Sequence, residues 1–154
     1  MTFLHRICAA LEARNVRYAI VGGHAVALHG AVRGTVDVDV ALVWNLDTVR
    51  RAQAALEDLG LESRLPIGAE DVVRFRDEYI ERRNLIDWNF RHPDNPAEQV
   101  DIVINYDLKG KRLKTLETAH GRVRILGLRD LIAMKTAAGR PQDVEDVKAL
   151  ETFL

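Results

Sequence analysis

The sequence predicts an α/β or α+β fold built around one β-sheet. Three observations carry this. Residues 17–30 read as strand, glycine turn and helix in quick succession. Residues 36–44 form the most β-like run in the chain. Further apolar strands and amphipathic helices then share the remainder, which suits layers of helix packed on a sheet.

The elements follow in order. Phe3, Leu4, Ile7, Cys8 and Leu11 recur at helical spacing and predict an opening amphipathic helix. Residues 17–21, with Tyr18, Ile20 and Val21, read as a buried strand ended by Gly22 and Gly23. A small-residue helix follows through Ala25, Val26, Leu28 and His29 and stops near Gly30. In the run 36–44, Val36, Val38, Val40, Leu42 and Trp44 share one face, and Thr35, Asp37, Asp39, Ala41 and Val43 share the other. Asp47 is the expected cap of a helix reaching about residue 59, where Gly60 supplies the stop. Residues 61–70 are a loop or short strand, and 70–83 a helix. Residues 84–91 and 99–106 are two strands joined by the turn His92-Pro93-Asp94-Asn95-Pro96. Residues 122–126 suggest a short strand. A helix over 128–138 ends at Gly139, and Pro141 opens the last one, to about residue 153.

At 154 residues one domain is expected, with a catalytic core over about 16–106 and closing helices over about 128–153. Hydrophobic residues at 47% and charged residues at 29% exclude a disordered or fibrous chain. The formal net charge of -1 excludes a strongly basic nucleic-acid coat and an acidic tail protein. Cys8 is the single cysteine, so neither an internal disulfide nor a cysteine-based zinc site can form. No apolar run reaches the roughly 18 residues of a membrane span, and residues 1–15 do not read as a signal peptide; a cytoplasmic protein with no membrane association is expected.

The informative chemistry is Asp37-Val38-Asp39 within an apolar strand. Carboxylates at i and i+2 leave the same face and repel, at a cost in free energy unless a positive charge lies between them. Asp oxygens suit hard ions such as Mg²⁺ (or Mn²⁺), and Mg²⁺ draws its remaining ligands from water and substrate phosphates. Alone, the pattern is short, and two exposed aspartates at a strand end would look the same. Three further features add to it. Gly22-Gly23 sits at a strand-to-helix junction, where glycines let backbone approach a phosphate. Asp101 opens another apolar strand, and as its neighbour would complete a carboxylate triad of the kind that holds two metals for phosphoryl or nucleotidyl transfer. Arg33 and Thr35 immediately precede the pair.

Taken together, Gly22-Gly23, Arg33-x-Thr35-x-Asp37-x-Asp39 and the later strand with Asp101 resemble the DNA polymerase β-like nucleotidyltransferase superfamily. The segment from Leu131 to Asp146, with Lys135, Arg140, Asp143 and Asp146, is similar to the small AbiEii-type, toxin-related group. The resemblance implies a mixed sheet flanked by helices, with further helices at the C-terminus. It implies a Mg²⁺-dependent enzyme moving an NMP from an NTP to a hydroxyl of RNA (tRNA among the candidates), a partner protein or a small molecule. A toxin–antitoxin setting with a cognate toxin or antitoxin belongs to the same resemblance. Position 23 is Gly where much of the superfamily has Ser, and the chain leaves little room for the extra helical region of larger toxin relatives.

The implied roles are these. Asp37 and Asp39 bind the metal on the triphosphate, and Asp101 binds the second metal and helps activate the attacking hydroxyl. Gly22 and Gly23 hold phosphates. Lys135 neutralises triphosphate charge or is a solvated helix lysine. Arg33 touches phosphate or pairs with an Asp of the triad, and Asp143 orients Lys135 or caps the last helix. His24, Thr35 and Arg140 complete the nucleotide-binding set. Trp44 and Trp88 are expected in the core. Lys109, Lys111, Arg112 and Lys114, followed by Arg122 and Arg124, form either a solvated loop or an electrostatic landing strip for nucleic acid. Two rival functions are an inactive nucleotide-binding or interaction module on the same fold, and a DxD glycosyltransferase, which leaves the Gly-Gly turn without a purpose.

Overall fold

The computed structural model describes residues 2–34 and 37–154. Among these residues seven strands form one sheet: β1 Tyr18–Val21, β2 Val38–Leu42, β3 Glu62–Ser63, β4 Asp87–Arg91, β5 Gln99–Asp107, β6 Leu113–Thr118 and β7 Gly121–Leu126. Their spatial order is β3-β4-β5-β2-β1-β7-β6. The sheet is mixed. β2 runs parallel to β5 and β1 parallel to β7, and the other neighbours are antiparallel. The helices are α1 Phe3–Ala13, α2 Gly22–Leu28, α3 Leu46–Asp58, α4 Ala69–Arg74, α5 Arg76–Arg83, α6 Leu128–Ala138 and α7 Pro141–Glu151.

The central strands are those with continuous apolar runs, because a strand with neighbours on both sides has little contact with water. All four residues of β1 are buried, as are Val38, Val40, Ala41 and Leu42 of β2 and Val100, Ile102, Val103 and Ile104 of β5. Ile7, Cys8 and Leu11 of α1 and Val49, Ala52, Ala55 and Leu56 of α3 join the same core. Trp88 is fully buried as expected, with its Nε1 donating to Ser63 Oγ at 2.9 Å. Trp44 lies just past β2, half-buried, and its Nε1 donates to the Tyr106 carbonyl at 2.8 Å.

Four local expectations are corrected. The cap of α3 is Asn45, whose Oδ1 accepts from the Thr48 backbone N–H at 2.8 Å. Asp47 lies in the first turn, two residues beyond the cap position, and pairs with Arg51. The helix expected over 70–83 is two helices broken at Phe75. The break lets Arg76 reach the sheet, where its Nε donates to the Ile104 carbonyl at 2.7 Å and its guanidinium lies over the Trp44 ring. β4 starts at Asp87, three residues later than expected, because Asn84 takes the left-handed conformation (φ 50°) that closes α5. Part of the basic segment is β6, an edge strand whose residues are exposed or half-buried and which therefore carries little apolar signal. Arg122 pairs with Glu117 and Arg124 with Glu12, so these two of its cations already have anionic partners.

Candidate active site

Register assembles the site. On β2 and β5, Asp39 is directly opposite Asp101, and on β5 and β4, Asp101 is directly opposite Asn89. Partners across neighbouring strands leave the same face, so Asp39, Asp101 and Asn89 form one row across three strands. Val21, in register with Asp39 on the other side, leads into Gly22. Asn89 Nδ2 donates to Asp101 Oδ1 at 2.7 Å. Asp87, two residues before Asn89 and opposite Val103, puts a further carboxylate on this face. Asp37 directly precedes β2 and is exposed.

Crowding shows in the proton affinities. Burial pushes Asp39 up to about 7, with added repulsion from Asp101, Asp87 and Asp37; Lys135 pulls the other way. Burial and then Asp101 push Asp87 up to about 6, against the pull of Arg140. Asp101 is also raised by burial, while the hydrogen bond from Asn89 favours its charged form.

Gly22 is fitted to this row. Its φ is +70°, and a Cβ built there would stand 2.1 Å from Asp39 Oδ2. Only glycine brings the strand-to-helix turn this close to the carboxylate. Gly23 is buried in the first turn of α2, and His24 follows half-buried. The helix has only seven residues, so close backbone approach, more than any helix dipole, is what this turn offers an anion.

The opposite wall comes from α6 and α7. Lys135 is 6% exposed and is not a solvated lysine. Its Nζ lies 3.1 Å from Asp143 Oδ1 and 3.0 Å from Asp146 Oδ2, and both acids are buried. Asp143 performs both functions expected of it as alternatives: it holds Lys135 and accepts the Arg140 backbone N–H at 3.2 Å at the start of α7. Arg140 Nε also donates to Asp143 Oδ2 at 2.7 Å. Arg33 pairs with Asp146, at 3.0 Å, rather than with the carboxylate row. Burial pushes Asp143 and Asp146 upward, but their basic partners outweigh it and hold both below the ordinary carboxylate value.

Between the walls lies a cavity of about 600 Å³. Gly22, Asp39, Lys135, Arg140 and Asp143 all line it, as does Asp87. Asp101 stands beside Asp39 in the row but does not itself line the cavity, Arg33 pairs with Asp146 behind Lys135, and Thr35 lies outside the described residues. Sequence reasoning passed over Asp87 and Asn89. The alternation Asp87-Trp88-Asn89-Phe90 did signal that the two polar residues share a face, but only the pairing of β4 with β5 makes that face the site.

The donor set suits a hard divalent cation: carboxylate oxygens crowded together, held at raised proton affinity, beside a glycine cradle. Among the described residues, no three His, Cys, Asp or Glu side chains converge as a complete metal cage. Mg²⁺ at phosphate-handling sites takes one or two protein carboxylates and completes its shell with water and phosphate, so the row meets its requirement.

Solved structures share this fold. A crystal structure of an antigenic nucleotidyltransferase-like protein from Paracoccidioides brasiliensis is similar at 18% identity and a TM-score of 0.60, over 96% of this chain and 72% of that one. ANT(2'')-Ia, crystallised in complex with adenylyl-2''-tobramycin, is similar at 19% identity and a TM-score of 0.59, over 96% and 85%. The lincosamide antibiotic adenylyltransferase LnuA, lincomycin-bound, is similar at 13% identity and a TM-score of 0.64, over 99% and 96%. No curated protein matches the chain by sequence. These likenesses show that the chain shares its fold with nucleotidyltransferases. A family model covers residues 4–153, and the chain belongs to that family, DUF6036, described as nucleotidyltransferases of unknown function.

Proposed function

We propose that the protein transfers an NMP from an NTP to an acceptor hydroxyl, releasing pyrophosphate, with Mg²⁺ or Mn²⁺ held by Asp37, Asp39 and Asp101. The observation that carries this reading is the row itself: Asp39 and Asp101 in register on adjacent strands, with Gly22 against the Asp39 carboxylate at the cavity wall. The cations, when bound, supply charge neutralisation on the triphosphate and lower the proton affinity of the attacking hydroxyl. The chain's own groups do the rest. The Gly22-Gly23 backbone lets the phosphates approach the carboxylates, and Asp101, one strand further from the glycine turn, faces the acceptor and assists removal of its proton. Lys135 adds positive charge beside Asp39, in a position fixed by Asp143 and Asp146.

Of the acceptors the chemistry admits, namely RNA, a protein side chain and a small molecule, the cavity supports the last. Its volume lies within the range of small-molecule sites. Two proteins of the same fold, ANT(2'')-Ia and LnuA, are described with small antibiotics bound or modified. The resemblance of Leu131–Asp146 to the AbiEii-type group supports the other setting, a toxin–antitoxin pair acting on tRNA or a partner protein, in the cytoplasm. No helix among the described residues is long and apolar enough to cross a membrane.

The test is label transfer. The protein is incubated with each α-labelled NTP, Mg²⁺ and, separately, small hydroxylated compounds, tRNA and candidate partner proteins. Transfer that disappears in Asp37→Ala and Asp39→Ala, both folded, is the expected outcome. No transfer with any pairing, together with no Mg²⁺-dependent NTP binding, leaves an inactive interaction module as the better reading.

A further inference from the structure

The carboxylates on this face of the sheet are not held alike. Asp101 receives a 2.7 Å hydrogen bond from Asn89 Nδ2, while no hydrogen bond to the Asp87 or Asp39 side chain is found among the described residues. The Asn89 bond is made at a cost. The Nδ2 group faces two acceptors, Asp101 Oδ1 and, at 3.4 Å, Gln99 Oε1, while Asn89 Oδ1 is buried with no hydrogen-bond partner among the described residues. Turning the amide over would place its oxygen against a carboxylate oxygen, so this orientation is fixed by the acid. A buried carbonyl left unsatisfied is unfavourable, and such a group calls for an explanation in what its other end does. Here the other end occupies one oxygen of Asp101, and no hydrogen bond to the second is found among the described residues. Asn89 lies on the strand beyond β5, away from Gly22, so it reaches Asp101 from behind the row and not from the nucleotide's side.

We infer that Asn89 is a positioning residue: its amide fixes the rotamer of Asp101 so that the remaining carboxylate oxygen faces the cation and acceptor. The inference rests on the reading of Asp101 as a metal-binding carboxylate given above. Partners one step behind a metal ligand orient it, and their loss weakens metal affinity or activity by about 10–100-fold.

Asn89→Leu keeps the branching of the side chain and removes the donor, and Asn89→Ala removes the amide altogether; neither adds charge to the site. Mn²⁺ binding to the parent and both variants is measured by calorimetry without nucleotide, and turnover is measured at saturating Mg²⁺·ATP. Both variants are expected to bind Mn²⁺ about 10–100-fold more weakly and to lose kcat with little change in the KM for ATP. Variants that fold and bind Mn²⁺ like the parent overturn the inference and leave the proposed function standing. If neither variant folds, the parent decides: the Asn89 side-chain amide resonances are expected to move on Mg²⁺ addition, and resonances that stay still overturn the inference. A parent that binds neither Mn²⁺ nor Mg²⁺·ATP overturns the reading of the site, and this inference with it.

Discussion

A Cβ at position 22 would stand 2.1 Å from Asp39 Oδ2, closer than two non-bonded atoms can come. The glycine turn and the carboxylate row are therefore one device. The turn at the end of β1 fits against the acid of β2 only because it carries no side chain, and this contact brings the backbone proposed to receive phosphate beside the group proposed to hold the metal.

Gly22→Ala is accordingly expected to fail twice. The positive φ and the clash together cost about 1–3 kcal/mol, measurable by urea denaturation. Mg²⁺-dependent NTP binding should fall by more than that loss explains, because Asp39 must turn out of the row. Binding unchanged in a folded Gly22→Ala protein would separate the turn from the site.

Asp39→Asn is expected to abolish transfer and yet stabilise the metal-free protein near neutral pH. The sign follows from the raised proton affinity. The folded state binds a proton at Asp39 up to about pH 7, whereas an ordinary Asp releases it near 3.8. Between these values the folded state holds more protons, so its stability declines as pH rises and levels off above about 7. The stability gap between Asp39→Asn and the parent should widen across this window, by an amount on the order of a few kcal/mol. Melting temperatures taken from pH 4 to 8 without divalent cations check this; a constant gap would contradict it.

Lys135→Ala is expected to destabilise, since it removes the buried cation that Asp143 and Asp146 share and leaves each acid with a single arginine, Arg140 and Arg33 respectively. Removing one partner of a buried ion pair costs about 3–5 kcal/mol. Lys135→Met combined with Asp143→Asn and Asp146→Asn should recover a substantial part of that loss in a denaturation curve, while leaving NTP use impaired. Both acids have lowered proton affinity, so their contribution is present above the ordinary Asp value and is lost as pH falls below it.

Mg²⁺ together with a non-hydrolysable NTP analogue should raise the melting temperature of the parent and not of Asp39→Asn. At one hundred times its dissociation constant a ligand adds about 2.7 kcal/mol, well within reach of a thermal shift assay. Equal shifts in the two proteins would place nucleotide and cation elsewhere.

The parts of the fold and site that depend on neighbours along the chain can be read from the residues alone. Alternation in residues 36–44 put Asp37 and Asp39 on one face. Gly22 and Gly23 marked the turn, and Gly139 with Pro141 divided the last two helices. These signals are local, a side-chain period or a backbone angle, and each was legible without a partner. Tertiary structure alone decided what register controls. It set Asp101 opposite Asp39, brought Asn89 and Asp87 in from β4, buried Lys135 between two acids and gave Arg33 to Asp146. Strand order and helix packing bring together groups far apart in sequence, and those contacts leave no periodic trace. The edge strand β6 was hidden for a related reason: with few buried residues it shows no apolar alternation, and only pairing with β7 makes it a strand.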